Sequence, residues 1–226
     1  MTKLIDKLQA VLSAKKRANA YRSLKVVGAG FVDFCSNDYL GFAQNRVLQQ
    51  RVHSALLSIE QLGATGSRLL SGNNTLAETL EKDLATFHGA EAALLFNSGY
   101  DANVGLYPTI ARRDATIIYD EYVHASTIDG IRLSKAKSRA FAHNNLADAE
   151  AKLQEAEGLV FLSVESIYSM NGHIAPLQAM VELAEKYGAA VIVDEAHATG
   201  VVGQYGEGLV QYLQLEKRVF ARVHTF

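Results

Sequence analysis

The feature that most constrains the fold is the run at residues 189–200, which reads Ala-Ala-Val-Ile-Val-Asp-Glu-Ala-His-Ala-Thr-Gly. Small and β-branched apolar residues followed by an acidic pair are typical of a strand that is buried on both faces and ends at an open sheet edge. Ligands of parallel α/β sheets collect at the carboxyl ends of the strands. Asp194 and His197 are therefore the first candidates for chemistry. The alternative that this run leaves open is that Asp194 and Glu195 only solvate a strand end.

Strand-like and helix-like patterns alternate along most of the chain. This alternation predicts an α/β fold with a mostly parallel sheet and flanking helices. The predicted strands are residues 92–96, 116–120, 138–142, 159–163, 190–194 and 219–223. Helices are predicted at residues 47–58 and from residue 75 onward, and the clearest ones at residues 146–156 and 177–187. Because nothing follows the last strand to cover it, we expect the chain to be the N-terminal part of a longer protein.

Residues 1–45 are predicted to form an N-terminal region, and residues 46–226 a large domain. Residues 1–12 have the apolar spacing of an amphipathic helix, and residues 31–34 alternate like a short strand. The N-terminal helix lacks the uninterrupted apolar core of a signal peptide.

The composition excludes several classes of protein. The chain has 226 residues and a formal net charge of −2, which gives no electrostatic footprint for nucleic acid or an anionic membrane. Its single cysteine, Cys35, excludes a disulfide within the chain and suits a reducing compartment. No run approaches the roughly 18 to 20 apolar residues that a membrane helix needs. We expect a cytoplasmic protein without nucleic-acid or membrane partners.

A phosphate seat is predicted between the first strand of the large domain and the helix that follows it. Ser98, Gly99 and Tyr100 lie in this turn, and a helix begins near Asp101. A turn at a helix N-terminus offers free backbone N–H groups and the positive end of the helix dipole. Taken alone, such a turn also serves as an ordinary connector.

Further polar residues follow other strands at the same sheet edge. His124 comes after the second predicted strand, and residues 165–170 place hydroxyl groups after the fourth. A lone histidine at such a position also has a structural explanation. Together with Asp194, His197 and Thr225, however, these residues occupy one edge of the sheet. Their shared position at one edge is stronger evidence for a functional site than any one of these residues alone.

One cofactor uses all of these groups together. Pyridoxal 5′-phosphate (PLP) requires a phosphate seat, a flat group on its ring, and a carboxylate that keeps the pyridine nitrogen protonated. Asp194 is the candidate carboxylate, and His197 is placed to bond the phenolic oxygen of the ring. If the polar strand ends are accidental, the chain is instead a non-enzymatic α/β binding domain.

Other chemistries lack their motifs in this chain. Residues 194–197 also spell the acidic motif of a helicase-type NTPase, but no glycine is followed by lysine, as the phosphate loop of such an enzyme requires. Neither Gly-x-Gly-x-x-Gly nor His-Glu-x-x-His occurs, so neither a dinucleotide enzyme nor a zinc hydrolase is predicted. No metal site is expected.

The chain resembles the α-oxoamine synthases, which are fold-type I PLP enzymes that condense an amino acid with an acyl-CoA and release carbon dioxide. The resemblance rests on ordered segments along nearly the whole chain, at residues 34–41, 63–72, 97–100, 124–126, 165–172 and 194–200. It implies an aspartate-aminotransferase-like large domain and a homodimer whose active site is shared between the subunits.

The resemblance also implies roles for individual residues. Asp194 would bind the pyridine nitrogen, His124 would stack on the ring, and both His197 and Ser169 would lie on the oxygen side of the cofactor. Asp194, His124 and His197 are thereby the candidate catalytic residues. The implied phosphate ligands are Ser98, Gly99, Tyr100 and Thr225.

Substrate contacts follow from the same resemblance. Asn37 would meet the amino-acid carboxylate, Arg22 would face the acyl substrate, and His124 is also a candidate substrate-binding residue. The Schiff-base lysine of the family would fall two positions beyond Phe226. Residues 124–144 are most similar to members that join L-alanine to a pimeloyl thioester of CoA or a carrier protein, and members that use glycine or serine are the alternatives.

Overall fold

The computed structural model describes residues 2–26, 28, 30–59 and 63–226, which fall into two compact units at residues 1–36 and 37–226. The first unit contains helix α1 (Thr2–Arg17), whose last turn carries Lys15, Lys16 and Arg17 at the negative end of the helix dipole. The predicted strand at residues 31–34 is wrong. Asp33 instead accepts hydrogen bonds from the backbone N–H groups of Cys35 (2.8 Å) and Ser36 (3.1 Å), and this side-chain turn bends the chain.

The second unit alternates helices and strands, as the sequence predicts. In order, the elements are a 3₁₀ turn (Phe42–Gln44), α2 (Arg46–Leu56), α3 (Thr75–Phe87), α4 (Gly99–Ile110), β1 (Ala115–Asp120), α5 (Ala125–Ser134), β2 (Lys137–Phe141), α6 (Leu146–Gln154), β3 (Leu159–Glu165), α7 (Leu177–Lys186), β4 (Ala190–Asp194), α8 (Leu209–Tyr212) and β5 (Ala221–Val223). Side chains cap the starts of several of these helices, because each accepts the N–H of the third residue that follows: Asn45, Asn74, Ser98 and Asn145. Among the described helices, none is both long enough and apolar enough to cross a bilayer.

The five strands form one parallel sheet in the order β2-β1-β3-β4-β5. The predicted parallel α/β fold is therefore confirmed. The strand predicted at residues 92–96 is absent, because this segment makes no ladder with the sheet. The Leu95 N–H instead donates to the Glu81 carboxylate at 2.8 Å.

Both faces of the sheet are buried, so the fold has three layers. Side chains alternate across a strand. On one face, a buried cluster joins the sheet to helices α4 and α5 through residues that include Ile117, Phe161, Ile192, Tyr107 and Ile131. On the other face, the neighbouring strand residues pack against α6, α7 and α8, in a cluster that includes Ile118, Leu162, Val193, Met180 and Val210. Successive residues at the end of a strand therefore point toward different helix layers.

Candidate active site

The alternation of β4 separates the acidic pair at its end. Asp194 shares a face with Ile192 and points toward the α4 and α5 side. Glu195 goes to the opposite side, where it is fully buried and accepts the N–H groups of Leu209 (2.9 Å) and Val210 (3.1 Å) at the start of α8. Burial raises the pKa of Glu195, against the opposing effect of these bonds. Glu195 is thus part of the scaffold, and Asp194 belongs to the candidate site.

Hydrogen bonds hold the Asp194 carboxylate in one orientation. Its Oδ1 accepts the backbone N–H of Ala196 at 3.0 Å, and its Oδ2 accepts the side-chain amide of Asn103 at 2.8 Å. Asn103 comes from α4 and also donates to the hydroxyl of Ser126 on α5 at 3.0 Å. The carboxylate is therefore held directly by α4, and by α5 only through the Ser126–Asn103 bond.

His124 precedes α5 and is tied to the same network. Its Nδ1 lies 2.7 Å from the Ser126 hydroxyl and accepts the Ser126 backbone N–H at 3.2 Å. The backbone N–H of His124 donates to the Glu165 carboxylate. The ring of Tyr100 meets the His124 ring edge-on, with 6.3 Å between the ring centroids. These contacts place His124 between the end of β3 and the start of α4.

Glu165, at the end of β3, is a buried acid in this site. Its side chain lies beside His124 and accepts the Ser169 N–H at 3.3 Å. Burial raises the pKa of Glu165 to about 7, and repulsion from Asp194 and Asp120 adds to the rise, although the two hydrogen bonds lower it. Such a carboxyl can hold or release a proton near neutral pH. Glu165 also orders the loop that carries Ser169.

His197 lies three residues beyond Asp194, the last residue of β4. Its Nδ1 is 2.7 Å from the hydroxyl of Tyr39. Burial lowers the pKa of His197, Asp194 opposes that effect, and His124 adds to it. Asp194, His124 and His197 are thus close enough to interact electrostatically. The Tyr39 N–H bonds the Asn37 carbonyl at 2.9 Å, so the exposed Asn37 lies in the segment that holds His197.

The start of α4 forms an anion seat. The Ser98 hydroxyl caps the helix, and within the described part of the chain the N–H groups of Gly99 and Tyr100 make no hydrogen bond. A Cβ atom on Gly99 would lie 2.6 Å from Cγ2 of Thr225, so glycine is needed for Thr225 to approach the helix start this closely. Free N–H groups, a helix dipole and two hydroxyls suit a phosphate.

The structure brings most of the predicted site residues together. Direct contacts, or hydrogen bonds through Asn103, Ser126 and Glu165, connect these seven: Ser98, Gly99, Tyr100, His124, Ser169, Asp194 and Thr225. His197 lies within electrostatic range of Asp194 and His124. The donor set fits PLP, since it offers an oriented carboxylate, imidazoles and an anion seat. Arg22 lies in the unit at residues 1–36, and its contact with an acyl substrate stays a prediction, as does the role of Asn37.

Sequence reasoning missed four residues that hold the site together. They are Tyr39, Asn103, Ser126 and Glu165. Helical spacing offered a signal for Asn103, because it lies one turn beyond Gly99 and therefore on the same face of α4. Ser126 lies two residues after His124, at the first turn of α5, where hydroxyl side chains commonly bond local groups.

Residues 29–225 match the family described as aminotransferase class I and II, and the chain belongs to this family. The 8-amino-7-oxononanoate synthase of Emericella nidulans is 42% identical over 99% of this chain and 58% of its own length. The 8-amino-7-oxononanoate synthase 1 of Bacillus subtilis is 38% identical over 100% of this chain and 60% of its own length. The chain thus spans about three fifths of the length of these curated relatives.

A solved structure of serine palmitoyltransferase from S. paucimobilis with bound PLP-myriocin aldimine superposes with a TM-score of 0.86. It is 29% identical, and the match covers 100% of this chain and 60% of that one. The expected aspartate-aminotransferase-like fold and the resemblance to the α-oxoamine synthases are confirmed by these comparisons.

Proposed function

We propose that the full-length protein containing this chain is a PLP-dependent acyltransferase of biotin biosynthesis. It joins L-alanine to pimeloyl-CoA, or to pimeloyl carrier protein, and yields 8-amino-7-oxononanoate, the free thiol and carbon dioxide. The observation that carries the proposal is the oriented Asp194 carboxylate, connected through Asn103 and Ser126 to His124. The names of relatives that share about 40% identity support the choice of substrates.

The residues of the site divide the binding of PLP among them. Asp194 would accept a hydrogen bond from the pyridine nitrogen and keep the proton there, and His124 would cover the ring face and exclude water from it. His197 and Ser169 would contact the phenolic oxygen. The phosphate would lie at the start of α4, against Ser98, Gly99, Tyr100 and Thr225.

Bound PLP supplies an electron sink for negative charge that develops at the α-carbon of the amino acid. Asp194 makes this sink effective, because an anionic carboxylate stabilises the protonated ring nitrogen inside a partly buried site. Asn37 would bind the amino-acid carboxylate and Arg22 the acyl chain. Together these groups orient the amino acid and the thioester before the new carbon–carbon bond forms.

A serine-using enzyme is the second candidate, and a glycine-using ligase of 2-amino-3-ketobutyrate is a related alternative. The similarity to the serine palmitoyltransferase structure favours the serine reaction. The alanine reaction is better supported, since the relatives of higher identity carry the 8-amino-7-oxononanoate synthase name. A non-enzymatic binding domain would leave the converging polar strand ends without a purpose.

Release of CoA tests the proposed reaction. The full-length protein is loaded with PLP and incubated with alanine, glycine or serine and a panel of acyl-CoAs, and the free thiol is measured. We expect the fastest release with alanine and pimeloyl-CoA, and background release from Asp194→Asn. Faster release with serine and palmitoyl-CoA would favour the second candidate. No release above background with any pair would refute the acyltransferase proposal.

We also infer a homodimer with shared active sites, located in the cytoplasm. The single cysteine supports the location, because it suits a reducing compartment. Sedimentation of the full-length protein tests the assembly, and a monomer at micromolar concentration would contradict it.

A further inference from the structure

Asn103 is a buried amide at the centre of the candidate site. Its side chain is on α4, one turn beyond Gly99, and the residue is 2% exposed. An amide nitrogen has two N–H donors. Both are used here, since Nδ2 donates to Asp194 Oδ2 at 2.8 Å and to Ser126 Oγ at 3.0 Å.

The amide orientation follows from its neighbours. Exchanging Oδ1 and Nδ2 would set a carbonyl oxygen against the Asp194 carboxylate, so two acceptors would face each other. In the present orientation Oδ1 is buried without a partner among the described residues. A buried unpaired acceptor costs about 1 to 3 kcal/mol. This cost is expected where the amide is needed for its donors.

The bond to Ser126 sets the direction of the next bond. Because Ser126 Oγ accepts from Asn103, its own hydrogen is available for Nδ1 of His124, which lies 2.7 Å away. The Ser126 backbone N–H also donates to Nδ1 at 3.2 Å, and a backbone N–H can only donate. Nδ1 must therefore be an acceptor. The ring proton of the neutral imidazole is then on Nε2.

We propose that Asn103 is a positioning residue that couples the Asp194 carboxylate to the His124 ring. It fixes the orientation of the carboxylate and, through Ser126, the Nε2–H tautomer of the imidazole. The inference rests on the proposed function, because it assigns these two groups to one cofactor ring. Asn103 itself does not contact the reacting atoms in this arrangement.

Histidine tautomers can be measured without cofactor or substrate. The cofactor-free full-length protein is labelled with ¹⁵N-histidine, and the imidazole nitrogen shifts distinguish Nδ1–H from Nε2–H. The His124 signals are assigned by their loss in His124→Gln. We expect the Nε2–H form in the wild type and a lower fraction of it in Asn103→Leu and in Ser126→Ala, where the Ser126 backbone N–H at 3.2 Å is the remaining fixed donor to Nδ1. His143, which bonds Asp120 instead, is the internal control and should not change.

The two variants separate two branches of the network: the Asp194 branch is the Asn103–Asp194 bond, and the histidine branch runs from Asn103 through Ser126 to His124. Asn103→Leu removes the bonds to both Asp194 and Ser126, whereas Ser126→Ala removes only the histidine branch. We expect the dissociation constant of PLP to rise about tenfold in Asn103→Leu and less in Ser126→Ala, consistent with the loss of about one charge-assisted hydrogen bond. If Asn103→Leu does not fold, Ser126→Ala still tests the tautomer.

An unchanged Nε2–H tautomer in the variants would overturn the histidine branch. Wild-type PLP affinity in folded Asn103→Leu would overturn the Asp194 branch. Failure of acyl transfer alone would refute the proposed reaction and leave the tautomer result intact, so the two failures are distinguishable.

Discussion

The buried acid at the end of β3 gives a prediction that stability measurements can test. Glu165 is 2% exposed, and burial, then Asp194, raises its pKa to about 7. Bonds from the backbone N–H groups of His124 and Ser169 oppose the rise without cancelling it. The perturbation is Glu165→Gln, which keeps the size of the side chain and removes its proton equilibrium.

The sign follows from proton linkage. Because the pKa of Glu165 is raised on folding, the folded chain holds this proton up to about pH 7, whereas an unfolded chain releases it near 4.5. Stability from this group is therefore fully present below pH 4.5 and is lost as the pH rises to about 7. The pKa of Glu165 is 4.5 in the unfolded chain and about 7 in the folded chain. At about 1.36 kcal/mol per pKa unit, this difference changes the free energy of unfolding by roughly 3 kcal/mol over the whole pH range.

The assay is urea unfolding of the full-length protein from pH 4 to 8.5. Other groups contribute equally to both proteins, so the quantity compared is the difference between wild type and Glu165→Gln. As the pH rises, we expect the unfolding free energy of Glu165→Gln to increase relative to that of the wild type by up to about 3 kcal/mol. Glu157→Gln is the matched control, because Lys137 lowers the pKa of this exposed carboxyl. Parallel pH curves for wild type and Glu165→Gln would refute the reasoning.

Three further substitutions test separate parts of the account. Asp194→Asn should bind PLP weakly and lose nearly all thiol release; wild-type turnover would remove its role. His124→Ala should weaken PLP binding and alter its absorbance spectrum, and an unchanged spectrum with unchanged rates would exclude His124 from the site. Gly208→Ala should lower the unfolding free energy by about 2 to 4 kcal/mol in urea titrations, because its Cβ would lie 2.3 Å from Glu195 Oε2 at a φ of +101°. A wild-type midpoint would contradict this steric argument.

Much of the fold is predictable because the central strands β1, β3 and β4 are buried on both faces. The apolar run before Asp194 specifies a strand wherever it lies in the sheet. Residues 92–96 have a similar pattern, but strand formation also needs a hydrogen-bonding partner, which local sequence does not reveal. Residues 31–34 fail for a local reason, since the Asp33 side chain competes for the backbone N–H groups.

The candidate site is predictable where topology alone places a residue. Asp194 and His124 follow parallel strands, so they must reach the same edge. Asn103 and Tyr39 contribute through packing and long-range hydrogen bonds, which a linear pattern does not contain. In the glycine-rich segment at residues 63–72, the Arg68 guanidinium pairs with Glu81, a partner that the local sequence does not reveal.

The central claim is that Asp194 serves the ring nitrogen of PLP in a cleft shared with His124 and the start of α4. A crystal structure of the full-length protein with PLP tests it most directly. We predict an Asp194 oxygen about 2.7 to 2.9 Å from the pyridine nitrogen, the His124 ring on the cofactor face, and the phosphate at Gly99. PLP bound elsewhere, or Asp194 turned away from the ring nitrogen, would contradict the account.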